Sequence, residues 1–387
     1  MCNRLRSTTN NLNSDVKSKF MEAIKFIAKD QNQTDFAREL TKRVRLHFKE
    51  KKISTFGDSK MVVKAILMVG LYVSALVVIF TVPMSAWLAL VLMIVMGIGE
   101  AGIGMGVMHD AAHGSFSKRK WLNTLATNSM FLLGSSVINW KIQHNVLHHT
   151  YPNVHEWDKD IDSKGLRLCT HSEQTQKVFR YQHLFGPLLY GLMTIVRFVS
   201  DFSHLKMYKD MGALEGQKVD YRKTVLAIAL HKVIYLSVFF VLPFIFTPFL
   251  WWQVLIGFLV MHITASIIMG TVFQLAHLVE NVREPLPNEA GEIHTQYAVH
   301  QLETTCDFGK RSGLFSWYVG GLNFQVEHHL FPHICHVHYP ELAVIVEQTA
   351  KDYNQPYNSY NTTFAAFQSH LRTLKRLGRG ELNEAIA

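Results

Sequence analysis

Two stretches without a single charged side chain decide what this chain can fold into. Residues 65–99 and 233–279 contain no Asp, Glu, Lys or Arg. A transmembrane helix needs about 20 apolar residues, so each stretch is too long for one crossing and suits two crossings joined by a tight turn. Turn residues stand in the middle of both, Thr81-Val82-Pro83-Met84-Ser85 and Thr247-Pro248-Phe249. The spans expected are therefore about 62–81, 86–108, 229–246 and 251–276. The fold class is an all-α integral membrane protein with four transmembrane helices in two hairpins and a cytosolic helical cap.

The remaining chain is polar and sorted by charge. Residues 1–61 carry 14 Lys and Arg against 7 Asp and Glu. Apolar residues at helical spacing in Phe20-Met21-Ile24-Ile27, and again over 36–48, predict short amphipathic helices there. This segment is no short basic region leading into an apolar core, so the first span is expected to serve as the targeting signal as well. Lys64 begins that span, where its ammonium is expected to snorkel to the cytosolic surface. Residues 114–222 form a polar insertion with two apolar stretches, 124–140 and 184–196, read as helices lying at the membrane interface; a re-entrant pair is the alternative. Further helices are expected near 341–352 and 363–377. The domain division is 1–61 as an N-terminal region, 62–345 as the membrane domain and 346–387 as a helical tail.

Both hairpin turns lack charge, whereas the long segments are rich in Lys and Arg. The positive-inside rule then puts both termini and the insertion in the cytoplasm. That bias accounts for the net charge of +9, and part of the basic surface would also suit an acidic partner or a phosphate-bearing ligand. Nothing resembles a basic and aromatic nucleic-acid motif. Cys2, Cys169, Cys306 and Cys335 lie far apart with no Cys-x-x-Cys pair, which excludes a zinc knuckle and a disulfide framework and fits a reducing compartment.

Three histidine clusters emerge on that one side: His109 with His113, then His144, His148 and His149, then His328 and His329 after Gln325. Residues four apart share a helix face, so these spacings aim imidazoles at a common point. With His277 at the end of the fourth span they make eight. Neutral imidazole suits iron, copper, zinc and nickel, and eight exceed the three or four that one zinc ion takes, so two metal ions are implied. Asp110, Asp158, Asp160, Asp162 and Glu327 stand close in sequence as carboxylates to orient those rings. His155 is an alternative ligand, and His333, Cys335, His336 and His338 form a possible separate cluster. Glu100 sits inside the second span, where a carboxylate must be paired or face a cavity.

The order His-x-x-x-His, His-x-x-x-His-His, Gln-x-x-His-His resembles the membrane-bound fatty acid desaturases over roughly residues 60–345. The surrounding residues agree: His109-Asp110-Ala111-Ala112-His113-Gly114, Trp157-Asp158-Lys159-Asp160-Ile161-Asp162, and Gly320-Gly321-Leu322-Asn323-Phe324-Gln325 leading into Val326-Glu327-His328-His329-Leu330-Phe331-Pro332. The resemblance implies two non-haem irons on His109, His113, His144, His148, His149, His277, His328 and His329, with O2 as co-substrate and a cis double bond as product. Gln325 in place of a histidine resembles the front-end subgroup, which desaturates between an existing double bond and the carboxyl end. Three roles stand for it: a metal ligand through its amide oxygen, a contact to a bridging water, or a shaper of the substrate turn. The substrate is expected as a long-chain acyl-CoA or acyl-lipid. No His-Pro-Gly-Gly of a fused cytochrome b5 occurs, so a separate donor is expected, ferredoxin or cytochrome b5, as in bacterial members at the inner membrane. A hydroxylase on the same scaffold is the nearest alternative. A histidine-rich metal transporter fits less well, because transporter ligands lie near mid-membrane.

Overall fold

The computed structural model describes residues 24–161, 165–172 and 176–381; Cys2, Phe20, Met21 and Asp162 lie outside them. Helix α1 (Gln31–Lys51) starts where Asp30 accepts a hydrogen bond from the Gln33 amide and ends at Lys52 in the left-handed region. Its Phe36, Leu40, Val44 and Phe48 recur every fourth residue and are buried, as the amphipathic pattern requires. Upstream the expectation fails: Lys25–Phe26 (β1) is extended and pairs in parallel with Glu292–Ile293 (β2). A second two-residue ladder joins Asp307–Phe308 (β3) to Ser359–Tyr360 (β4). The fold is therefore helical with two minimal parallel pairings, and not purely α.

Five helices are long and apolar enough to cross a membrane: α2 (Asp58–Thr81), α3 (Ala86–Ala112), α6 (Lys177–Asp210), α7 (Tyr221–Phe246) and α8 (Trp251–His277). Four correspond to the expected spans, with α7 starting eight residues early. The fifth, α6, runs for 34 residues and is longer than the expected 184–196, and it is interrupted as expected, by 3-10 turns at Lys177–Tyr181 and Tyr190–Leu192. The other stretch, 124–140, is broken into α4 (Lys120–Asn128), a 3-10 turn and the single turn α5 (Val137–Trp140).

Helix α3 lies between α2 and α8. Near its end the backbone widens into a π segment at Gly104–Met108, an irregularity frequent at functional sites. A second π segment, Lys141–His148, follows α5. Beyond α8 come α9 (Tyr297–Thr304), α10 (Gly313–Tyr318), α11 (Gln325–Leu330), α12 (Tyr339–Asp352) and α13 (Thr363–Arg379), the last two close to the expected bounds. One apolar cluster joins α1 to α9, α11 and α12, which ties the helix carrying the third histidine cluster to its neighbours.

Lys64 does not snorkel. It is 1% exposed, donates from Nζ to the Trp317 carbonyl oxygen and faces His336 Nε2 at 3.1 Å. Gly106 of α3 makes the space: a Cβ there would stand 2.5 Å from both Cε and Nζ of Lys64.

Candidate metal centre

The histidines reach the centre from four parts of the chain. His109 and His113 close α3, His144 and His148 lie on the second π segment with His149 just after it, His277 is the last residue of α8, and His328 and His329 sit on α11. All but His113 are buried. His109, His113, His144 and His328 offer nitrogens within 4.8 Å of one another, and so do His148, His277 and His329; His149 joins the two groups through His328 and His329.

The outer nitrogens are held. His148 Nδ1 lies 3.0 Å from Asp158 Oδ2, His329 Nδ1 lies 2.9 Å from Gln301 Oε1, His277 Nδ1 lies 3.1 Å from the Thr304 carbonyl oxygen, and His328 Nδ1 lies 3.3 Å from the Tyr339 hydroxyl. Such contacts set the tautomer and leave Nε2 as the inward lone pair. Among the described residues, Nε2 of His113, His148, His328 and His329 finds no hydrogen-bond partner, nor does Nδ1 of His109 and His149. His144 Nε2 faces His109 Nε2 at 3.0 Å and His149 Nε2 at 3.2 Å.

Buried polar atoms without partners are rare and call for a cause. Here burial, followed by the neighbouring imidazoles, holds His144, His149, His328 and His329 well below the usual histidine range. They are held neutral, the form in which an imidazole could ligate a metal. Burial opposes the charged form of His148 too, yet the Asp158 carboxylate outweighs it and raises that ring. This donor set fits metal ions and no other ordinary function of histidine.

The carboxylates divide. Asp158 orients His148 as expected. Asp160 is farther off, 3.9 Å from His144 Nδ1, and binds Arg197 and Gln143 instead. Asp110 is 3.8 Å from His109 Nδ1 but holds His336 Nδ1 at 2.7 Å. Glu327 turns away from the imidazoles altogether, toward Tyr357 and Asp307; burial and then the Asp307 charge push its carboxyl well above the usual range. Gln325 reaches the centre, with its amide nitrogen 2.9 Å from His277 Nε2. His155 stays outside, near His171. Cys335 and His336 meet Asp110, but their contacts are satisfied by one another. Glu100 finds His262 Nδ1 at 3.5 Å inside the helix bundle. Gln301, Tyr339 and Thr304 carry no sequence signal as orienting groups.

The sequence pattern of the fatty acid desaturase family matches residues 85–361, a range that includes all eight histidines. The chain belongs to that family. The sn-1 linoleoyl-lipid 6-desaturase of Arthrospira platensis is 32% identical over 91% of this chain and 95% of its own length. The acyl-lipid (8-3)-desaturase of Physcomitrium patens is 33% identical over 94% of this chain and 75% of its own. A second sn-1 linoleoyl-lipid 6-desaturase, from Synechocystis, is 30% identical over 92% of this chain. The desaturase is thus an oxidoreductase that introduces a double bond into a fatty acyl chain, with its histidines gathered where the ends of α3 and α8 meet.

Proposed function

We propose that this desaturase is a front-end enzyme. It inserts a cis double bond between an existing one and the carboxyl end of a membrane-lipid acyl chain, using two irons held by the eight histidines. The observation that carries the reading is the convergence of three histidine clusters and His277 on one buried volume, with six ring nitrogens left without partners. The relatives named above act on lipid-linked chains by their names, which favours acyl-lipid over acyl-CoA. Gln325 beside His277 supports the front-end assignment.

When bound, the irons supply reductive activation of dioxygen. Dioxygen takes two hydrogens from the chain, and two electrons and two protons from outside, and leaves as two waters. The protein's part is positional. Asp158, Gln301, Thr304 and Tyr339 fix the rings, and the apolar packing of α3 against α8, and of α11 against α1, α9 and α12, keeps water from the oxidant. A separate donor, ferredoxin or cytochrome b5, delivers the electrons on the cytoplasmic side of a bacterial inner membrane, where both termini also lie.

Four of the five apolar helices cross in this reading, and α6 lies in the interface. Its exposed Leu184, Leu188, Leu192, Val196 and Val199 form one stripe at helical spacing, while Thr194 and Asp201 on the other face are buried. A single apolar stripe is the signature of a helix lying on a membrane rather than through it.

A host fed linoleate and supplied with an active donor accumulates a fatty acid with one new double bond nearer the carboxyl end. Gas chromatography and mass spectrometry of its lipids check this, and an unchanged profile from an expressed, iron-loaded chain sinks the front-end assignment. Asp158→Asn keeps the shape beside His148 and removes the charge that orients it. Its iron affinity or rate falls by about 10–100-fold, the usual cost of losing such a contact; an unchanged iron titration and rate would show that His148 needs no orienting carboxylate.

A further inference from the structure

The buried ammonium of Lys64 has no part in the chemistry described so far. A charge at this depth is expensive and marks a site by default. It forms the floor of a cavity of about 360 Å³ walled by Met61, Val63, Trp317, His336 and Val337. Lys60 is exposed at the rim, and Val63 is 56% exposed on the outer face of α2. The cavity therefore opens sideways, at the polar end of a helix that faces lipid, and its floor adjoins the histidines: Lys64 touches His336, His336 Nδ1 lies 2.7 Å from Asp110, and Asp110 follows His109.

The hydrogen bonds fix which groups are free. With His336 Nδ1–H directed at the Asp110 carboxylate, Nε2 accepts from Lys64. An ammonium has three donors; among the described residues His336 and the Trp317 carbonyl oxygen take two, which leaves one. An apolar cavity with one free N–H of a buried cation suits a ligand that is hydrocarbon apart from one carbonyl. It suits the several phosphates of a coenzyme less well, because Lys60 at the rim is the one other lysine or arginine in its lining.

We infer that this cavity is the lateral portal at which a membrane glycerolipid seats its ester end, and that Lys64 binds the ester carbonyl. The inference rests on the acyl-lipid reading above. Anchoring the ester two side chains from His109 holds the carboxyl end at a set distance from the metals, so the enzyme counts carbons from that end. Gly106 permits the anchor, because any side chain there would occupy the place of Nζ.

The test uses the full-length, iron-loaded enzyme in vesicles of a dilinoleoyl phospholipid, with a reduced donor and mass-spectrometric location of the new bond. Lys64→Met raises the apparent KM roughly tenfold, the usual scale for a hydrogen bond to a charged group, and spreads the product over neighbouring bond positions at unchanged iron content. Gly106→Ala displaces the ammonium without removing it and yields the same spread, which decides the matter if the methionine variant folds poorly. Both variants keeping one bond position and the wild-type KM overturns the portal while the desaturase reading stands. Turnover of linoleoyl-CoA with none of the vesicle lipid overturns it as well. Failure of the iron-loaded wild type to desaturate either substrate sinks the reading beneath it.

Discussion

His328→Ala loses desaturation and loses iron. The ring stands at the junction of the two ligand groups, with centroids 4.5 Å from His109, 4.5 Å from His149 and 5.1 Å from His113. Its Nε2 is buried without a partner among the described residues, so that lone pair is free for the metal ion proposed above. Removing a group that merely orients a ligand costs about 10–100-fold, and removing the ligand itself costs more than about a hundredfold in turnover by the same scale. Iron per chain, measured by plasma mass spectrometry on the purified protein, drops together with product. The chain itself stays folded, since α11 is held by Val326 and Phe324 in the apolar cluster with α1 and α12. Full turnover without this imidazole would remove His328 from the site.

How far the sequence speaks for itself differs from residue to residue. The charge-free stretches locate α2, α3, α7 and α8 to within a few residues, apart from the early start of α7, because hydrocarbon excludes charge from a whole helix length. His109 and His113 follow from helical spacing alone. His144, His148 and His149 converge for a reason the spacing hides: the backbone around them is π-helical, which alters the turn per residue. Glu327 adjoins His328 in the chain, yet neighbours on a helix point different ways, and its carboxyl ends beside Tyr357 and Asp307. Asp158 and Asp160 are alike in sequence, but only the first meets an imidazole at hydrogen-bond distance. Gln301 and Tyr339 come from α9 and α12, which reach the centre only through tertiary packing. Lys64 shows the same limit: at the start of an apolar run a lysine is expected to reach for water, and the space left by Gly106 on the next helix lets it turn inward to the Trp317 carbonyl oxygen and His336.

Gly320→Ala is expected to damage the fold more than any other small substitution near the centre. Gly320 has φ +67°, a region in which a side chain crowds its own backbone at a cost of roughly 1–2 kcal/mol. An added Cβ would also stand 2.2 Å from the Met105 carbonyl oxygen and 2.7 Å from the Gly106 Cα. Both are backbone atoms of the π segment, fixed between the body of α3 and His109, so neither can swing aside as a side-chain tip would. Overpacking of this kind costs about 1–3 kcal/mol, so both the backbone strain and the clash oppose the native arrangement. The chain relieves the clash by moving the loop before α11 away from α3, which separates His328 and His329 from His109 and lets Lys64 leave its cavity. A melting temperature lowered by several degrees, with reduced iron content, is the expected result. Gly313→Ala supplies the comparison, since a Cβ there meets nothing within 4 Å and surface changes of that kind stay within about 0.5 kcal/mol. Equal melting temperatures and iron content for the two variants would mean that the contact between Gly320 and the π segment does not hold the third histidine cluster in place.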